Sequence, residues 1–166
     1  MLLMETILAR RSIRSYRPDP VPREKLDYIL EAARLAPSWK NQQCWRFIVV
    51  KDEEKRRAIT ERGWTAEAPV IIVGCARPGL SGGNAGQPYY MLDMGIAMEH
   101  MVLAAAEQGM GTCWIGGQFD EETVKEELGV PDDVRVVALL PLGYPAEASD
   151  AKDRKPMDEI VSYDKW

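Results

Sequence analysis

The sequence predicts a single domain over residues 1–166 in which helices and strands alternate in an α/β-like order. Apolar positions at helical spacing, such as Leu26, Ile29, Leu30 and Ala33, alternate along the chain with short continuous apolar runs such as Val70-Ile71-Ile72-Val73-Gly74-Cys75. The chain has 166 residues, 46% hydrophobic and 28% charged, enough for one core and ordinary for a soluble globular protein. No repeat, low-complexity tract or second domain interrupts this pattern.

The elements follow in order. Glu5 to Arg10 reads as a short helix, and Arg17-Pro18-Asp19-Pro20-Val21-Pro22 as a rigid turn. Pro22 suits the first turn of an amphipathic helix that Ala36-Pro37 stops. Trp45 to Val50 is strand-like, Glu53 to Arg62 reads as a charged surface helix ending at Gly63, and Val70 to Cys75 as a buried strand. From Arg77 to Pro88 there are four glycines and no periodicity, which predicts a long flexible loop of the kind that covers sites. Tyr89 to Gln108 is the longest helix and is apolar on more than one face, as expected at the centre of a fold and at a subunit interface. Gly109 to Gly117 reads as a short strand leading into the pair Gly116-Gly117. Asp120 caps a helix from Glu121 to Leu128 closed by Gly129, and Val134 to Leu142 is a last strand. The tail, 146–166, is polar but ends in Ile160, Val161, Tyr163 and Trp166, which need a surface to bury on; a partner subunit could supply it.

The stretch Arg10-Arg11-Ser12-Ile13-Arg14-Ser15-Tyr16-Arg17 carries four arginines in eight residues. Guanidinium forks match phosphate oxygens two at a time, so the stretch reads as an anion site, first of all for a phosphorylated ligand. On these residues alone, a solvated basic face or a patch for RNA or an acidic partner stays open. The net charge of −5 weighs against nucleic acid, because one local basic spot suits one small anion better than a polyanion.

Cys44, Cys75 and Cys113 form no C-x-x-C pair and are odd in number, which suggests neither zinc nor a disulfide framework and points to a reducing compartment. Met1-Leu2-Leu3-Met4 is too short for a signal-peptide core, and no run approaches the ~18 apolar residues of a membrane span. A cytoplasmic protein without membrane contact is expected. The lone His100 removes histidine triads and His-rich metal sites, so chemistry here is expected to come from a cofactor. Cys113 and Cys75 read as buried inert thiols, His100 as a satisfied interface side chain, and Asp93 as a residue that caps or pairs locally near the start of the long helix.

Four motifs in this order resemble the flavin-dependent nitroreductase family over nearly the whole chain. They are Arg10-Arg11-Ser12-Ile13-Arg14; Ala36-Pro37-Ser38-Trp39-Lys40-Asn41-Gln42-Gln43-Cys44-Trp45; the segment from Gly111 to Gly117; and Lys152-Asp153-Arg154-Lys155-Pro156. The resemblance implies an α+β fold with a mixed, largely antiparallel sheet flanked by helices. It implies an intertwined homodimer with FMN at each of two interface sites. By motif position Arg10, Ser12, Lys152 and Arg154 are expected at the flavin phosphate, and Arg11 towards the ribityl chain or phosphate. Arg14 is expected at the pyrimidine edge, where its charge would favour the reduced, anionic ring. Pro37, Ser38 and Asn41 are expected to reach the cofactor from the other subunit. Gly116 and Gly117 would let their backbone approach the ring where a Cβ would clash.

The implied activity is FMN-dependent NAD(P)H oxidoreduction. NADH or NADPH would be the donor and a small nitroaromatic or quinone-like molecule the acceptor. A non-catalytic flavin or nucleotide binder, and a specialised branch such as a reductive dehalogenase or a flavin-destroying enzyme, are the alternatives. The chain departs from the family where Trp39 and Lys40 replace commonly small residues and Cys44 replaces a frequent proline. Trp39 is therefore expected either near the flavin or packed at the interface. The chain is also short for the family, leaving the loop from Arg77 to Pro88 and Trp64 as the obvious covers.

Overall fold

The computed structural model of the protein describes residues 2–65 and 67–166; Met1, first of the apolar tetrad, lies outside them. Among the described residues the order is α1 (Leu3–Ala9), α2 (Arg23–Arg34), β1 (Trp45–Val50), α3 (Glu53–Ala58), β2 (Val70–Ala76), β3 (Gly83–Asn84), β4 (Gln87–Pro88), α4 (Tyr89–Glu107), β5 (Gly111–Thr112), α5 (Glu121–Leu128) and β6 (Arg135–Gly143). The main sheet has the order β1-β2-β6-β5, and every neighbouring pair in it is antiparallel. This is the α+β, largely antiparallel arrangement that the family resemblance implies, and not the α/β order that alternation of element types alone suggests. Alternation of element types carries no information about strand direction, and α3 packs on α5 instead of crossing the sheet to start a parallel neighbour. The fold is α+β, and its parallel element is an isolated bridge between Ser12 and Thr112.

The central strand β2 is buried along its whole length and feeds two cores. Val70, Ile72 and Ala76 face α2 and α4 with Ile29, Ala33, Met94, Met98 and Met101. Ile71, Val73 and Cys75 face α5 with Ile115, Val124 and Leu139. Period-2 alternation produces this division, and a register shift between Gly74 and Cys75 passes it on to β6. A Cβ at Gly74 would sit 2.8 Å from the Met94 sulfur and 2.9 Å from that of Met98, so glycine lets α4 lie close on the sheet.

The helices form for local reasons the sequence carries. In α2 the buried stripe is Leu26, Ile29 and Ala33, with Arg23 paired to Asp27 at 2.7 Å on the outer face. Asp120 accepts the Thr123 N–H at 2.8 Å, and Gly129 ends α5 in the left-handed region at φ 65°. The helix expected over Glu53 to Arg62 is shorter. It stops at Ala58 because Ile59 turns into the core and the Thr60 hydroxyl donates back to the Arg56 carbonyl at 2.9 Å; a 3₁₀ turn, Glu61–Gly63, follows. Arg56 is buried, with its guanidinium on the Lys51 carbonyl, so this is not a wholly solvated helix. Trp64 packs against the α5-side core instead of covering an opening.

All three cysteines are free and buried. Burial, and then the nearby charge of Glu121, push the Cys75 thiol up from 9.0 to about 11. The native state therefore holds this proton more tightly than the unfolded chain does. The resulting stability is complete below 9.0 and is lost as pH rises through about 11. Cys75→Ala should flatten the fall of unfolding free energy across that window by on the order of 2 kcal/mol. Urea melts at the two ends of the window check it, and parallel pH profiles for the two proteins would refute it.

Candidate functional site

The basic segment leaves α1 and is tied down beside β5. Ser12 forms the parallel bridge with Thr112, and the Ile13 N–H donates to the Thr112 carbonyl at 2.8 Å. Gly111 makes this approach possible, since a Cβ there would lie 2.6 Å from Ile13 Cγ1 and 2.8 Å from Ile13 Cβ. Tyr16 anchors the far end. Its buried hydroxyl donates to the Ile13 carbonyl at 2.5 Å, its backbone bridges Pro145, and burial holds its phenol far above the usual range.

Arg10 and Arg11 line a cleft of about 230 Å³ with Gly109, Met110, Thr112 and Ser149. Among the described residues neither the Arg10 nor the Arg14 guanidinium is ion-paired. Arg14 is exposed, donates to the Ser12 carbonyl at 3.3 Å, and its charge opposes the upward push of burial on the Cys113 thiol. Arg11 folds back, donating to the Leu8 carbonyl at 2.5 Å and the Arg10 carbonyl at 2.8 Å, so part of its fork closes the end of α1. Its Nε is buried without an acceptor among the described residues.

Gly116 and Gly117 continue this strip, positioned by the bridge between Ile115 and Leu139. Both are exposed. A Cβ on Gly117 would meet nothing within 4 Å, and one on Gly116 would meet only the Trp114 ring, at 3.6 Å. Gly116 shares a cleft with Tyr90 and Met91 at the start of α4, whereas Arg10 shares one with Ala106 near its end. Along the chain, Gly116 follows the Ser12–Thr112 bridge by four residues, at most about 14 Å. Such a surface can hold an anion at one end and lay a flat group against open backbone at the other.

Ser38 to Asn41 form a separate, tense turn. Lys40 and Asn41 have φ 47° and 56°, and Gln43 has φ 49°, left-handed values that are costly without glycine. The Ser38 hydroxyl accepts the Gln43 N–H at 2.9 Å, and the Asn41 side-chain Oδ1 accepts the Gln43 side-chain amide at 3.3 Å. Pro37 is exposed beside them. The Trp39 ring is engaged by its own chain: a Cβ on Gly82 would lie 2.7 Å from it, and the Tyr89 ring centroid is 6.1 Å away. No hydrogen bond or ion pair joins this turn to the basic strip within one chain among the described residues. Lys152 and Arg154 are exposed, and among the described residues Arg154 donates only to nearby backbone, the carbonyls of Lys152 and Asp153.

Comparison with known proteins decides the family. The model of the nitroreductase family matches residues 7–66 and 60–144. The chain belongs to the nitroreductase family. It is 34% identical to an NADH dehydrogenase of Thermus thermophilus, over 93% of this chain and 92% of that protein. It is 31% identical to an FMN reductase [NAD(P)H] of Bacillus subtilis, over 95% of this chain and 72% of that one. The crystal structure of a nitroreductase family protein from Clostridium novyi NT superposes with a TM-score of 0.83 at 40% identity, covering 100% of this chain and 95% of that one.

Within this nitroreductase-family chain, the matched span ends before Lys152 and Arg154. Two further residues shape the site without having stood out in the sequence. Asp93 was expected to cap or pair locally but instead bonds across to the Ser38–Asn41 turn, accepting the Trp39 N–H at 2.9 Å. Gly82 gives way to the Trp39 ring. A buried-side carboxylate near the start of a largely apolar helix that also holds Glu99 and Glu107 was the one available signal for Asp93; nothing local marks Gly82. His100 is satisfied, its Nδ1 lying 3.1 Å from the Ala32 carbonyl. The loop from Arg77 to Pro88 is more ordered than its composition suggests, with a 3₁₀ turn (Pro78–Leu80) and the β3–β4 hairpin.

Proposed function

We propose that this chain is an FMN-dependent NAD(P)H oxidoreductase that works as a homodimer and reduces nitroaromatic or quinone-like acceptors. The observation that carries this reading is the strip itself, two arginines without ion-pair partners among the described residues beside the Ser12–Thr112 bridge, followed by two glycines whose outer side is open. The residues present fit FMN. Arg11 Nε is a buried donor without an acceptor among the described residues, Arg10 lines the same cleft, Ser12 is held at the bridge to Thr112 in its wall, and the glycine end offers no Cβ to hold a flat ring away. The similarity to the FMN reductase [NAD(P)H] of Bacillus subtilis supports the same cofactor.

Lys152 and Arg154 would complete the phosphate cradle, and Arg14 would face the pyrimidine edge. Ser38 and Asn41, with Pro37 beside them, would come from the partner subunit. The chain exposes apolar surface that a partner would cover, including Leu92 at 58%, Ile96 at 40% and Trp166 at 111%. FMN, when bound, supplies the redox chemistry, taking hydride from NADH or NADPH and passing electrons to the acceptor. The protein's task is to hold the phosphate, to place a fixed positive charge at the ring edge where negative charge develops, and to keep one open side for donor and acceptor in turn. No side chain need act as a nucleophile.

Anaerobic stopped-flow reduction tests the reading. The wild-type holoprotein should bleach with NADH or NADPH and recolour with a quinone. Arg14→Ala should bleach at least about tenfold more slowly, with a lower flavin midpoint potential and FMN affinity nearly unchanged. A yellow protein that neither donor bleaches would instead be a flavin binder, and an Arg14→Ala protein that binds FMN weakly but reduces normally when resupplied would remove the electronic role.

A further inference from the structure

Asp93 is 4% exposed and carries no ion pair among the described residues, yet it receives three donors from three parts of the chain. Its Oδ1 accepts the Trp39 backbone N–H at 2.9 Å. Its Oδ2 accepts the Cys44 thiol at 3.6 Å and the Ser81 hydroxyl at 3.5 Å. The first two contacts hold the two ends of the strained turn that contains Lys40, Asn41 and Gln43; the third holds the base of the 77–88 arm. Hydrogen bonds inside the turn cannot supply this restraint, because they move with it. A buried carboxylate without a counter-ion is expensive to keep, and residues with left-handed φ persist where the surroundings over-determine them. The Trp39 ring reinforces the link by lying over Gly82, the next residue of the arm.

We propose that Asp93 is a positioning residue that locks the Ser38–Asn41 turn and the base of the 77–88 arm into one unit. One buried carboxylate then sets both how the turn meets the flavin and how the arm admits the acceptor. This rests on the assignment of Ser38 and Asn41 to the flavin site, but the lock itself does not need flavin to be measured.

Hydrogen exchange of the FMN-free protein, read by mass spectrometry, is paired with FMN titration and with steady-state kinetics for a quinone. Ser81→Ala should speed exchange only in residues 77–88 and raise the KM for the quinone with kcat and FMN affinity unchanged. Asp93→Asn keeps an acceptor for the Trp39 N–H but loses the oxygen that serves both Cys44 and Ser81, so it should speed exchange in the arm and at the Cys44 end of the turn while sparing the Trp39 end. Asp93→Ala should speed exchange in residues 38–44 and 77–88 together, leave β2 protected, and weaken FMN about tenfold, the scale of one hydrogen bond to a charged group. The proposal is overturned if a folded Asp93→Ala protein leaves the turn at wild-type exchange rates, or if Ser81→Ala weakens FMN as much as Asp93→Ala does. If Asp93→Ala does not fold, the other two variants decide, and wild-type arm exchange in both overturns it. Exchange effects as expected in a protein that binds no FMN at all would uphold the lock and overturn only the flavin assignment.

Discussion

Replacing Lys152 and Arg154 together with alanine should cost about 3–6 kcal/mol of FMN affinity, if two charge-assisted contacts to the phosphate are lost. That is roughly a hundredfold to ten-thousandfold in Kd. Both side chains are exposed and neither belongs to a core cluster, so the fold has no stake in them. The tail starts at the right place, since Pro145 bridges Tyr16 and Ser149 lines the cleft of Arg10 and Arg11. From Ser149 to Lys152 an extended chain reaches about 10 Å, enough to bring the second basic cluster to the first. A phosphate near two negative charges would then sit among cations from both ends of the chain.

The double variant is more informative than a truncation after Gly143. Truncation also removes Tyr144, whose carbonyl accepts the Arg17 N–H at 2.9 Å and whose ring lies under Lys25, so it would injure the fold as well. Fluorescence-quenching titration of the FMN-free protein, alongside a thermal melt, measures the two effects separately. An unchanged Kd would make the basic tail a solvated surface run and leave the phosphate to the N-terminal arginines alone.

Much of this fold was legible because burial writes itself into sequence as a period. Trp45–Val50 is bounded as its apolar run suggests, and Asp120 and Gly129 bracket α5 because capping is local chemistry. Strand direction was not legible, since Val70–Ala76 has the same continuous apolar character in a parallel or an antiparallel sheet. The end of α3 was lost because charged helix formers run on past Ala58 while the stop comes from Ile59 entering the core. At the site, the family's motifs put Arg10, Ser12, Arg14, Gly116 and Gly117 at one flavin; the structure bridges Ser12 to Thr112, four residues before Gly116, and places Arg10 in the cleft that Thr112 also lines. Asp93 was misread because its partners are Trp39, Cys44 and Ser81, which no sequence spacing connects. The fold-back of Arg11 was equally hidden, because a guanidinium four residues or fewer from a helix end can serve the helix as readily as a ligand.

The central claim is that each flavin site is composite, with the basic strip of one subunit completed by the Ser38–Asn41 turn of the other. Co-expressing an Arg10→Ala chain with a Ser38→Ala/Asn41→Ala chain, each with its own affinity tag, isolates the mixed dimer. In it, one site would carry both lesions and the other none. The NAD(P)H:quinone activity of the mixed dimer should return to about half the wild-type value while both parent dimers stay nearly inactive, a difference of tenfold or more if each parent loses one charge-assisted contact or its equivalent. A mixed dimer no more active than its parents would mean that each site is built from a single chain.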